Sequence, residues 1–250
     1  MKKAIIAMLI LLALCLAGSA LAEGPVSVRF DDSGIGGEIA GVRFEDGRLL
    51  ITQPGEYILS GELTNGQIAV DCAEDGRVTL VLNGVRVHCE TGPALLIGEC
   101  SPRLVITLAE ETENTLSDGA NLVFTYEDEP NGVIFSESDL TIRGGGSLTV
   151  VSGAMDGIVS KDDLRIEGGQ ITVQADRHGI RGKDSVEISG GTITVTAGKD
   201  GVKSTNKKDI DRGNVIITGG VILITCGDEP IEAENTCRIE DALVEFSVNK

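Results

Sequence analysis

Three near-copies of one phrase carry most of the chain's chemistry. "DGIVSKDD" begins at Asp156, "HGIRGKDS" at His178 and "DGVKSTN" at Asp200. Read down the copies, one slot holds Asp156, His178 and Asp200. Three positions later come Val159, Arg181 and Lys203, and two beyond those come Lys161, Lys183 and Thr205. The next slot holds Asp162, Asp184 and Asn206. If the copies stack as successive strands, like charges lie about 4.8 Å apart and repel by roughly 1 kcal/mol in water, more where water is excluded. A cation between Asp162 and Asp184, or beside Asp200, removes that repulsion. Calcium is suited, because it takes carboxylate and carbonyl oxygens in loose geometry. The competing reading is that neighbouring Lys and Asp residues form solvated corners whose charges roughly cancel. The loop from Lys207 to Asp211 is a second place for such an ion, although it lacks EF-hand spacing. The bases Arg181, Lys183 and Lys203, with His178, are candidates for holding an anionic ligand, since Arg can fork onto a carboxylate.

The elements that must position these residues follow from the repeat. Ile134, Ile158, Ile180, Val202 and Ile231 anchor five copies at steps of 24, 22, 22 and 29 residues. The long step holds the insertion "NKKDIDRGN", Asn206 to Asn214. Behind each anchor comes a second segment ("DLRIEGG", "SVEISGG", "NVIITGG") and then a third ("QITVQA", "TITVTA", "VILITC"). Each alternates apolar with polar residues, the mark of a half-buried strand. Glycine pairs between the second and third segments mark sharp turns. Three short strands per ~22 residues with no helical pattern predict an all-β, right-handed parallel β-helix. Leu140, Leu164, Val186, Val215 and Cys237 form a second inward ladder in this reading. Residues 23–65 read as an N-terminal β cap over the first coil, as solenoid ends require, and residues 66–250 as the helix proper.

Composition narrows the partners. Met1 to Ala22 combine a basic start, a short apolar core and a small-residue "ALA" end, which predicts a signal peptide, export, and a secreted or cell-surface location. Its removal takes Lys2 and Lys3 with it and leaves 19 Lys and Arg against 39 Asp and Glu. Nucleic-acid binding is excluded by that balance, because phosphate neutralisation needs a basic face. No later apolar run is long enough to span a bilayer, and the chain is taken as a monomer. Cys72, Cys89, Cys100, Cys226 and Cys237 remain after cleavage, an odd number. Cys72 and Cys89 alternate with apolar residues, and Cys226 and Cys237 fall in apolar ladder slots, so they read as core thiols. The two histidines, His88 and His178, have no nucleophile signature near them in sequence, and no Ser/His/Asp set is readable.

The phrases "EETENTLSDG", "DGIVSKDDLRIEGG", "HGIRGKDSVEISGG" and "DGVKSTN" resemble those of exported bacterial carbohydrate-binding domain proteins. The resemblance covers about Gly36 to Cys226. It implies a calcium-bearing right-handed β-helix that binds cellulose or acidic sugars such as polygalacturonate; the expected role of this chain is such binding without catalysis. Under it, Asp156, Asp162, Asp184 and Asp200 are the metal candidates, and His178, Arg181, Lys183 and Lys203 the substrate candidates. The fold is similar to that of family-nine pectate lyases, so a calcium-dependent lyase with Lys203 or Arg181 as base is the alternative. Met155 and Val159 stand where that family wants acids, against lyase chemistry. A passive surface or adhesive module is the third reading.

Overall fold

The structure is a computed structural model that describes residues 24–72, 76–98, 103–120 and 130–249. The segment expected to be a signal peptide, and Cys100, lie outside the described residues. The described chain is all-β and consists of two long sheets of mainly parallel strands. From Gly132 onward each coil contributes three strands, as in Asp156–Ser160, Asp163–Ile166 and Gln170–Ala175. Each pairs in parallel with its counterpart one coil on. Ile134, Ile158, Ile180, Val202 and Ile231 are consecutive partners in the anchor column. Leu140, Leu164, Val186, Val215 and Cys237 are partners in the middle column. A 22-residue phrase thus repeats in space as one coil, because equal coil lengths bring equivalent apolar residues over one another.

The middle and third columns are hydrogen-bonded into one sheet rather than two. The cause is the 12-residue strand Val78–Cys89, which pairs with Leu104–Leu108 through its first half and with Glu113–Asp118 through its second. Later coils break at this corner, where Gly169, Gly191 and Gly220 take positive φ of 99°, 95° and 91°. At the opposite corner a different constraint acts. A Cβ on Gly157, Gly179 or Gly201 would lie 2.3–2.4 Å from the side chain of Val173, Val195 or Ile224. Only glycine lets the anchor strand begin this close to the third column.

The N-terminal strands continue the same sheets. Val42–Glu45 and Arg48–Ile51 form an antiparallel hairpin, whose second strand pairs in parallel with Gln67–Val70. Gly55–Leu63 pairs in parallel with both Val26–Asp31 and Val78–Cys89. One hydrophobic core, mostly aliphatic, runs from Val28 to Cys226.

The far end differs from expectation at Cys237, which is exposed. It occupies the expected ladder slot, but that coil is the last described one. No further described strand covers it, and Ile239, Leu243 and Phe246 are likewise exposed. Cys72, Cys89 and Cys226 are buried thiols, and Cys237 is also a free thiol. Among the described residues no helix is long and apolar enough to cross a membrane.

Candidate functional site

The repeated phrase builds two charged corners, one at each end of the anchor strand. The first holds Asp156, His178, Arg181, Asp200 and Lys203. The second holds Asp162, Lys183 and Asp184. The three bases expected at one corner are therefore divided: Arg181 and Lys203 are adjacent cross-strand partners, while Lys183 lies past the end of its strand, Ile180–Gly182.

At the first corner the aspartates join coil to coil. Asp156 is fully buried. Its carboxylate accepts the backbone N–H of His178, one coil on, at 3.1 Å and the Nε–H of Arg181 at 2.8 Å. Arg177 Nε adds an ion pair at 3.6 Å. Arg181 also donates to Asn131 Oδ1 at 2.6 Å. Asp200 repeats the device: it accepts the Glu229 N–H at 3.1 Å and pairs with Lys203 Nζ at 2.9 Å. Burial pushes Asp200 upward, but hydrogen bonds from Lys203 and the Glu229 backbone outweigh it, so its pKa is lowered. Burial pulls Lys203 down, yet its hydrogen bonds to Glu232 and Asp200 leave its pKa raised. Lys203 is held as an ammonium.

His178 interrupts the acidic column between these aspartates. Its Nδ1 is 3.0 Å from Asp200 Oδ2. Burial holds its pKa below the usual value, helped by the charges of Lys203 and Arg181 and opposed by those of Asp156 and Asp200. It therefore sits neutral at pH 7, a spacer between two buried carboxylates.

The second corner is a cleft of about 580 Å³ lined by Asp139, Asp162, Asp163, Asp184, Glu187, Asp211 and Arg212 among others. Asp184 is buried, and its carboxylate is occupied: it accepts Asn206 Nδ2 at 2.6 Å and pairs with Arg212. Its backbone carbonyl receives the Gly213 N–H at 2.7 Å. Asp184 thus ties both ends of the 206–214 insertion to the preceding coil. Asp163 accepts the Ser185 hydroxyl at 2.7 Å and pairs with Arg165 at 2.8 Å. Asp162 differs. Partial burial raises its pKa, as does the charge of Asp184 and of Asp139, while Lys183 and Arg212 act in the opposite sense.

The four metal candidates do not converge. Asp156 and Asp200 are taken by protein cations at one corner, and Asp184 by Asn206 and Arg212 at the other. Among the described residues no group of three or more His, Cys, Asp or Glu is arranged to hold a metal ion.

A constellation the sequence did not reveal lies on the third column. His88 Nδ1 is 2.9 Å from Ser117 Oγ, and His88 Nε2 is 3.2 Å from Glu90. Ser117 and His88 are 29 residues apart and meet only through strand register. A hydrogen-bonded Ser–His–Glu row of this kind orients a histidine. It sits on an open sheet face, and none of the clefts described here includes it.

The family model described as "Carbohydrate-binding domain-containing protein" matches residues 45–250. The chain belongs to that carbohydrate-binding domain family. A curated relative from Acetivibrio thermocellus, described by the same words, is 36% identical over an alignment of 188 residues that covers 70% of this chain. The chain spans 65% of that relative's length. A solved structure, "Structure of the polysaccharide lyase-like protein from C. thermocellum, Gadolinium derivative", is 33% identical with a TM-score of 0.77, covering 89% of this chain and 95% of that one. The family match takes in both charged corners and the insertion between Asn206 and Asn214.

Proposed function

We propose that the protein is an exported module that binds acidic polysaccharide, of the polygalacturonate type, with calcium as a bridge and without cleaving it. Membership of the carbohydrate-binding domain family supports the ligand class. The observation that carries the finer reading is Asp162, a carboxylate in a cleft with Asp139 and Asp184; partial burial first, and then repulsion from those two acids, raises its pKa. Asp162 offers hard oxygen donors that fit calcium, whereas Asp139 accepts the Asp163 N–H at 3.2 Å and pairs with Arg165 at 3.8 Å, and Asp156, Asp184 and Asp200 are likewise committed to protein donors. Calcium takes six to eight oxygen ligands, so an ion held by so few protein acids keeps positions for the carboxylates and hydroxyls of a polymer. When bound, the ion would supply the positive charge that lets an acidic protein meet an acidic chain. The similar solved chain is named as a gadolinium derivative, and gadolinium, like calcium, is a hard cation that seeks oxygen. A right-handed coil belongs to this reading, since parallel strand connections take that hand in about 98% of cases.

A lyase is the second reading, because that solved relative is named polysaccharide lyase-like. A lyase base must be free to accept the proton next to the uronate carboxylate. Lys203 is held protonated between Asp200 and Glu232, and Arg181 stays charged at any working pH and is spent on Asp156. Neither suits that task. Retention on polygalacturonate with and without chelator tests the proposal. Loss of binding in chelator supports it, unchanged binding overturns the calcium bridge, and release of unsaturated uronides establishes the lyase instead.

A further inference from the structure

The 206–214 insertion forms a second cleft with its first half, residues 206–210, next to Lys183. It has a volume of about 690 Å³ and is lined by Lys183, Thr205, Asn206, Lys207, Lys208, Asp209 and Ile210. That volume lies within the roughly 300–1,000 Å³ typical of small-ligand sites. Three lysines around one cleft stand out in a chain with a net charge of −18.

Among the described residues an acid engages one of the three. Lys207 pairs with Glu234 at 3.1 Å. Asp209 is turned to Arg212 at 3.3 Å and to the Asp211 N–H at 3.0 Å. Among the described residues, no hydrogen bond or ion pair engages the ammonium of Lys183 or Lys208, although Lys183 also acts on Asp162 through its charge. Two unneutralised cations on one wall favour an anion, and each gains a charge-assisted hydrogen bond when it arrives.

The wall is built in advance. Asn206 Oδ1 accepts the N–H groups of Lys208 and Asp209 at 3.0 and 3.1 Å, while its Nδ2 holds Asp184. Asn235 donates to the Ile210 carbonyl. A loop fixed in this way loses little entropy on binding. Ile210 is 84% exposed at the mouth, an apolar surface of the size that can cover the C–H face of a sugar ring.

We propose that the cleft between Lys183 and the 206–214 loop is a subsite for a carboxylate-bearing sugar of an acidic polysaccharide, with Lys183 and Lys208 contacting the carboxylate and Ile210 the ring. This rests on the carbohydrate-binding reading and gives it a second contact that needs no metal. The two clefts share one loop, residues 206–210 lining this one and Asp211, Arg212 and Asn214 the acidic one.

Titration of polygalacturonate in calcium buffer tests the subsite, with fully methyl-esterified polygalacturonate and dextran sulfate as comparison polymers. The Lys183→Ala/Lys208→Ala variant is expected to bind polygalacturonate about tenfold more weakly, the scale of one lost charge-assisted contact. Lys183→Arg/Lys208→Arg should keep most of the affinity, Ile210→Ser should lose part of it, and Arg43→Ala, on the distant N-terminal hairpin, should lose none. The methyl ester should bind wild type weakly and be indifferent to the lysine changes. Equal thermal midpoints exclude misfolding. Full-strength binding by the double alanine variant overturns the subsite and leaves the carbohydrate reading standing. Equal binding of dextran sulfate shows non-specific charge attraction and also overturns it. Failure of wild type to bind any acidic polymer removes both readings together.

Discussion

Asp184 and Asn206 lie one coil apart, and the carboxylate of the first accepts the amide Nδ2 of the second at 2.6 Å. That bond, with the Arg212 ion pair beside it, closes the base of the 206–214 insertion and separates an acidic cleft from a basic one. Asp184→Ala is therefore expected to loosen the loop while leaving the coils intact. A buried donor–acceptor set of this kind contributes about 1–3 kcal/mol when one member is removed. Limited trypsin digestion reads it directly: cleavage after Lys207 or Lys208 should become faster. An unchanged digestion pattern would show that the loop is held by other contacts.

Arg181→Met leaves Asp156, a fully buried carboxylate, without its closest cation. Stranding a buried charge costs about 3–5 kcal/mol, and the low end is expected because Arg177 remains 3.6 Å away. The double variant Arg181→Met/Asp156→Asn should recover much of that loss. Denaturant unfolding of the four proteins of this cycle gives the coupling. No recovery in the double variant would mean that Arg181 stabilises by packing rather than by its charge.

Asp162→Asn should act in the opposite direction. The folded pKa of Asp162 is raised, so its ionised form weakens the fold at neutral pH and the weakening vanishes on protonation. Removing the charge should raise the thermal midpoint in chelator by about 1–2 °C, since partly exposed carboxylates seldom contribute more than a fraction of a kcal/mol. In calcium the variant should lose any stabilisation that wild type gains. A calcium-induced rise of equal size in both proteins would place the ion elsewhere.

His178 governs a pH effect whose direction follows from its lowered pKa. The unfolded chain takes up a proton near pH 6.5, the folded chain only at lower pH. Stability contributed by neutral His178 is therefore complete above the unfolded value and is lost as the pH falls through it toward the folded value. Wild type should lose thermal stability between pH 7 and pH 5 more steeply than His178→Gln, as measured by unfolding midpoints across that range. Parallel curves would show that the histidine does not titrate differently in the two states.

Much of the architecture was legible in the chain alone. A parallel strand stack places residue i over its equivalent one coil later, so a 22-residue apolar repeat translates directly into the Ile158–Ile180–Val202 ladder. The glycine corners were legible for a similar reason, because a missing Cβ is visible in sequence wherever the backbone turns or crowds a neighbour. The division of labour among the charged residues was not. Asp156, Asp162, Asp184 and Asp200 read alike as corner carboxylates, yet three of them are bound by donors on neighbouring coils and one stands largely by itself. Cys237 fills an apolar slot but lies on the last described coil, where no described strand covers it. Ser117 and His88 meet across 29 residues of chain. Periodicity determines which residues share a column. Which hydrogen bonds and ion pairs a side chain makes depends on rotamers, on the exact reach of Arg and Lys, and on the path of one non-repeating loop, and those are settled only when the coils close over one another.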